Sequence, residues 1–172
     1  REALGGAVHA AALDLAVGRV LDRPVFGIDE PLYLSPHAPT AKLAPAGCGL
    51  VSLLRYVPDG ESADHDDDDD RVAAGRDHAR LRRLAEQVGI AGDDIVHERY
   101  LHRLLVANAF PTARGGGLRG RPTVDALGLP GVFLAGDWVG SEYQLADASS
   151  ASGEAAAVRA VDHARQRIDV RR

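Results

Sequence analysis

Residues 131–161 read GVFLAGDWVGSEYQLADASSASGEAAAVRAV. Four apolar residues, 132–135, stop on Gly136-Asp137, and a stretch built almost entirely of small side chains follows. A carboxylate at the end of an apolar strand can accept a charge-assisted hydrogen bond from a ligand hydroxyl. The glycine before it removes a side chain where something must come close. Ligands of open α/β sheets bind beyond the carboxyl ends of the strands, which is where Asp137 would sit. The alternative reading is that Asp137 caps a turn.

Other chemistry-bearing residues lead less far. His97 and His102 are five apart on a stretch that reads as a strand, so they face opposite sides and make no metal pair. No Ser-His-Asp or Cys-His set is singled out by spacing, which leaves the catalytic residues unassigned. Gly115, Gly117 and Gly120 spell G-x-G-x-x-G, and Asp137 lies twenty residues beyond Gly117. A dinucleotide loop must nevertheless leave a strand and open a helix. Here Pro111 to Arg114 intervene before the glycines, and Arg121-Pro122 follows them, so a loop is expected. The acidic run at 59–71 lacks the glycine and terminal glutamate of a calcium loop and reads as a solvated loop.

These residues need elements to position them. Small residues from 145 to 167 predict a long helix, shallow enough in its first turns for a backbone or a flat ring to approach, with unpaired N–H groups at its start. Continuous apolarity at 132–135 predicts a strand buried on both faces of a parallel sheet. Leu4, Val8, Ala11 and Leu15 recur at helical spacing and predict an amphipathic helix over 2–21. Residues 25–28 and 32–35, punctuated by prolines, read as strands at a sheet margin, and 50–57 as a firmer strand. Ala74, His78, Leu81, Ala85 and Val88 predict a helix over 71–88 with Gly89 as its C-terminal cap. Ile95, Val96, Val106 and the stop at Pro111 predict a long strand.

Composition sets the frame. The chain has 172 residues, enough for one ordinary domain or two small lobes. A net charge of -5 with scattered basic residues gives no nucleic-acid or anionic-membrane footprint. Cys48 is alone, and no apolar run is long enough to span a bilayer, so a soluble, cytoplasmic protein of a reducing compartment is expected. Lys42 is the single lysine beside nineteen arginines, a coding bias that makes alanine abundance less informative. There is no methionine, so the sequence reads as part of something longer.

Taken together, PTARGGGLRGRP, PGVFLAGDWVG and LADASSAS resemble the closing segment of phytoene-desaturase-like enzymes of the flavin amine oxidase superfamily. The resemblance covers residues 99–164; residues 1–98 are compatible with the substrate lobe of that family. It implies α/β and α+β architecture, an incomplete FAD-binding fold of the glutathione-reductase type: residues 1–107 belong to a substrate-binding lobe, and residues 108–172 carry the last strand and helix of the flavin domain. It also implies FAD as cofactor, with Asp137 holding the ribityl chain, Gly136 and Trp138 beside it, and Gln144, Leu145 and Ala146 against the ring. Relatives often have a small residue at Tyr143 and an apolar one at Gln144. The implied reaction is dehydrogenation or desaturation of a largely apolar small molecule by hydride transfer to flavin. The N-terminal dinucleotide-binding segment of such enzymes is not in this sequence and would come from the same chain or a separate subunit. A non-catalytic remnant, a partner subunit completing a flavin site on another chain, and a binding module without flavin are the alternatives.

Overall fold

A computed structural model of the chain describes residues 5–38, 41–57 and 67–169. They form a mixed α/β structure with one five-stranded sheet and two α-helices. The strands are β1 (Val8–Val17), β2 (Val25–Phe26), β3 (Leu32–Pro36), β4 (Gly49–Tyr56) and β5 (Ile95–Ala107), and the helices are α1 (Asp67–Gln87) and α2 (Leu145–Asp169). Residues 9–105 make one compact unit; residues 1–8 with 106–172 make a second, and the chain passes between them near the end of β5.

In the first unit the sheet order is β2-β3-β4-β1-β5. The β1/β4, β3/β4 and β2/β3 pairs are antiparallel. Register explains the core. Leu13 of β1 lies opposite Leu53 of β4, which lies opposite Leu34 of β3, so three fully buried leucines form one row across the sheet. Leu15 and Val51 make the next rung on the same face, because alternate residues of a strand share a side. Leu81, Leu84 and Ala85 of α1 pack on this face and close the core. The expected margin strands are thus present, with β2 at the edge.

Arg55 lies on that covered face too, opposite the small Ala11. It is 2% exposed and meets Asp77 of α1, which is 1% exposed, with Nη1 3.3 Å from Oδ2. Arg103 of β5 approaches the same Oδ2 at 3.6 Å, while Asp77 Oδ1 is buried without a hydrogen bond. Around this pair α1 is fastened to β5 by further polar contacts. His78 bonds Glu98 at 2.7 Å, Arg82 bonds Glu98 at 2.9 Å, and His102 bonds Asp70 at 2.9 Å. The Tyr100 hydroxyl donates to the carbonyl of Ala74 at 2.9 Å. Burial first, and the Asp77 carboxylate second, push the Tyr100 phenol up to about 12, so it stays a neutral donor.

Three expectations are corrected. Where Leu4, Val8, Ala11 and Leu15 predicted a helix over 2–21, Val8–Val17 is strand β1, whose alanine-rich middle lies in the middle of a sheet; residues 2–4 of that range lie outside the described residues. Ala11, Leu13, Leu15 and Val17 alternate toward the α1 side, and neighbours on both edges of the strand outweigh helix propensity. The helix predicted over 71–88, α1, begins at Asp67, not Arg71. Part of the acidic run is therefore its first turn, where Asp69 and Asp70 bring negative charge to the positive end of the helix dipole. The remainder of that run, 59–66, lies outside the described residues. Residues 132–135 are not a strand: their backbone is tied to another segment through Leu134 N–H, bonded to the Val124 carbonyl at 2.8 Å, and Val132 is exposed. A strand buried on both faces needs neighbours, and among the described residues none flanks this segment.

Other expectations hold. Gly89 ends α1 at φ +81, its N–H bonding Glu86 O, while Ile90 N–H reaches Ala85 O. This is the two-bond arrangement that a left-handed glycine permits after a helix. The long strand ending before Pro111 is β5, and the helix predicted from 145 is α2.

The buried Arg55–Asp77 pair yields a stability test. Asp77→Ala would remove from the buried Arg55 guanidinium the carboxylate it faces and should lower the unfolding free energy by about 3–5 kcal/mol. Urea unfolding followed by far-ultraviolet dichroism measures this, and a change below about 1 kcal/mol would show that other groups already neutralise Arg55.

Candidate functional site

The second unit has little regular structure before α2, so its shape rests on a few hydrogen bonds. The first fixed point is where β5 ends. Asn108 donates its backbone N–H to Asp137 Oδ2 and its side-chain amide to Oδ1, both at 2.9 Å. Asp137 is 8% exposed, and this two-pronged contact supplies the hydrogen bonds that a buried carboxylate requires. Each oxygen keeps a second lone-pair direction for another donor.

The second fixed point is Gly136. Its N–H donates to Ser152 Oγ at 2.9 Å, and the Ser152 hydroxyl has the Gly136 carbonyl at 3.0 Å and the Ser149 carbonyl at 3.2 Å, sharing one proton between them. A side chain on the second turn of α2 thereby latches the Gly-Asp turn to the helix. The backbone at Gly136 has φ +152, and a Cβ there would stand 2.8 Å from the Trp138 indole nitrogen. Glycine is required both by conformation and by the ring lying against it.

The third fixed point is the strap that leads from the turn to the helix. Gly140 N–H bonds the Pro122 carbonyl at 2.9 Å, and Arg121 Nη1 bonds the Tyr143 carbonyl at 2.7 Å. The helix starts where Ala148 N–H reaches Gln144 O. Leu145, its first residue, has φ +51; only Lys42 shares a positive φ among the non-glycine described residues. A leucine in the left-handed region is strained, and such strain gathers at ligand clamps and switch regions. Gln144, Leu145, Ala146 and Asp147 are all exposed.

An open cleft of about 240 Å3 lies between the strap and the small residues of α2, lined by Val124, Val139, Tyr143, Ala148, Ala151 and Ser152 among others. Pockets that enclose a whole ligand usually hold ~300–1,000 Å3, so this cleft would grip part of one. Gly136, Asp137 and Trp138 thus share a unit with Gln144, Leu145 and Ala146, tied together by Ser152 and the strap. The G-x-G-x-x-G residues form turns with Gly116 and Gly117 left-handed, running into a short 3-10 turn at Gly117–Gly120. They neither follow a strand directly nor open an α-helix.

Asn108 and Ser152 were not foreseen as partners of the Gly-Asp turn. The one available signal was position: Asn108 is the polar residue that ends an apolar run, where a side chain most often satisfies a loop. A polar chain on the sheet of the other unit was also missed. Ser52 donates to Asp14 Oδ1 at 2.6 Å, His37 Nε2 lies 3.2 Å from Ser52 Oγ, and Arg99 Nε bonds Asp14 Oδ2 at 3.0 Å. Asp14 is the lone charge of β1 and Ser52 interrupts the apolar run of β4. Here the carboxylate orients the serine and not the histidine, so the order needed for a base-activated nucleophile is absent.

A double-mutant cycle measures the first fixed point. Asp137→Ala and Asn108→Ala should each destabilise the chain, with a coupling of about 1.5–3 kcal/mol by urea unfolding. Additive losses would mean that the contact contributes nothing of its own. No family model matches the chain, and no curated protein matches it.

Proposed function

We propose that the chain is the C-terminal part of an FAD-dependent oxidoreductase of the phytoene-desaturase-like kind, acting on a largely apolar small molecule. The reading rests on the sequence resemblance of residues 99–164. The structural observation that carries it furthest is the Gly136-Asp137 turn, latched by Ser152 directly to the start of α2. The arrangement suits the ribityl and ring end of a flavin: Asp137 keeps acceptor directions for a hydroxyl, the first turn of α2 is exposed, and Leu145 holds a strained backbone at that turn. The adenine diphosphate end finds no fitting partner among the described residues, since the glycine loop is not a strand–turn–helix unit.

In this reading a bound FAD supplies the hydride acceptor. The residues of this chain bind and tune. Asp137 orients the ribityl chain, and the N–H groups at the start of α2 offer fixed positive partial charge to the electron-rich edge of the ring without reorganising. Exposed Leu127, Leu129, Val132 and Leu145 leave apolar surface in this unit, as expected if a dinucleotide-binding segment, in the same chain or in a separate subunit, belongs beside it. A cytoplasmic site of action is part of the proposal; among the described residues no helix is long and apolar enough to cross a membrane.

With a dinucleotide-binding segment present, Asp137→Ala should cost about 1.5–3 kcal/mol of FAD affinity by calorimetry. Asn108→Ala, which disturbs the same turn but removes no ribityl contact, should cost much less. Equal losses in the two variants would reduce Asp137 to a turn residue.

A further inference from the structure

Arg121 is 8% exposed, and among the described residues no carboxylate pairs with it. Its Nη1 bonds the Tyr143 carbonyl at 2.7 Å, and its Nε is buried without any partner. Arginine does not escape this situation by losing its proton. A buried, unpaired charge is costly, and a native buried group left unsatisfied calls for a specific reason, such as a missing ion or ligand. The other buried arginine, Arg55, shows the contrast, since it faces Asp77.

The location narrows the reason. Arg121 and Pro122 hold the strap at both ends, through Tyr143 O and through Gly140 N–H. Tyr143 is two residues before Leu145, so the guanidinium is anchored beside the positive end of the 25-residue helix α2. A full positive charge and the helix dipole therefore act at the same end. The acid nearest in sequence, Asp125, pairs with Arg159 at 3.4 Å, Asp137 is bonded by Asn108, and Glu142 and Asp147 next to the helix start are exposed, so solvent screens them.

We propose that Arg121 is a positioning residue for an electron-rich ring edge: its buried charge holds the strap and stabilises negative charge on the N1–C2=O side of a reduced flavin at the first turn of α2. The proposal rests on the flavin reading above and assigns the electrostatic tuning to a named side chain.

The test uses the FAD-loaded protein with its dinucleotide-binding segment and reads the reduction potential by equilibration with a reference dye. Arg121→Gln should lower the equilibrium constant for two-electron reduction about tenfold, equivalent to about 30 mV. Arg121→Lys, which keeps the charge and loses the planar fork, should recover most of that shift; a purely structural role predicts that neither variant moves the potential. Should both variants fail to fold, the unmodified protein decides. Its reduced flavin should keep the anionic spectrum as pH falls below neutral, and a neutral reduced spectrum already at neutral pH overturns the proposal. Failure of the unmodified protein to take up flavin would overturn the flavin reading and this proposal together. Flavin uptake with an unmoved potential in Arg121→Gln would overturn the role of Arg121 alone.

Discussion

The carboxylate of Asp137 is the contact on which the second unit depends. Between the end of β5 and the start of α2 the chain runs through more than thirty residues with only a short 3-10 turn as regular structure. Such a segment has no ladder of backbone bonds to fix it, so each polar tie matters more. Asp137 ties the middle of that segment back to Asn108, and Gly136 is tied forward to Ser152 of α2. Remove the carboxylate and the Gly-Asp turn loses its link to the strand, while Ser152 alone would have to hold it against the helix. The same geometry leaves the carboxylate with spare acceptor capacity beyond its two bonds to Asn108.

The first unit solves a different problem. Its apolar rows are ordinary antiparallel packing, but Arg55 and Asp77 place opposite charges inside the layer between sheet and helix. Such a pair adds little net stability over apolar residues of similar volume, yet it penalises any arrangement that separates the partners. Together with the Glu98, His102 and Tyr100 contacts it fixes how α1 lies across β4 and β5. Specific placement of α1, more than added stability, is the consequence.

Much of this was legible in the sequence where a local rule sufficed. Gly89 marked the end of α1 because only a left-handed residue satisfies the last carbonyls, and Pro111 marked the limit of β5. The central strand β1 was not legible, since Ala10, Ala11 and Ala12 favour a helix in isolation and become strand only between β4 and β5. Residues 132–135 erred the other way: their apolarity matches a buried parallel strand, but the neighbours that would make them one are not among the described residues. At the site, Gly136, Asp137 and the start of α2 stood out by type and order. Arg121 did not, because in a chain with nineteen arginines nothing in the sequence distinguishes a buried guanidinium from a solvated one.

The central claim is that this chain supplies the ring and ribityl end of a flavin site and needs a separate phosphate-binding unit to complete it. Visible absorbance of the purified chain with excess FAD, removed by desalting, tests that directly, with and without a segment carrying a strand–glycine turn–helix fingerprint. The account predicts a colourless chain by itself and stoichiometric flavin absorbance once the segment is added. Stoichiometric flavin on the 172-residue chain alone, or none with the segment present, would contradict it.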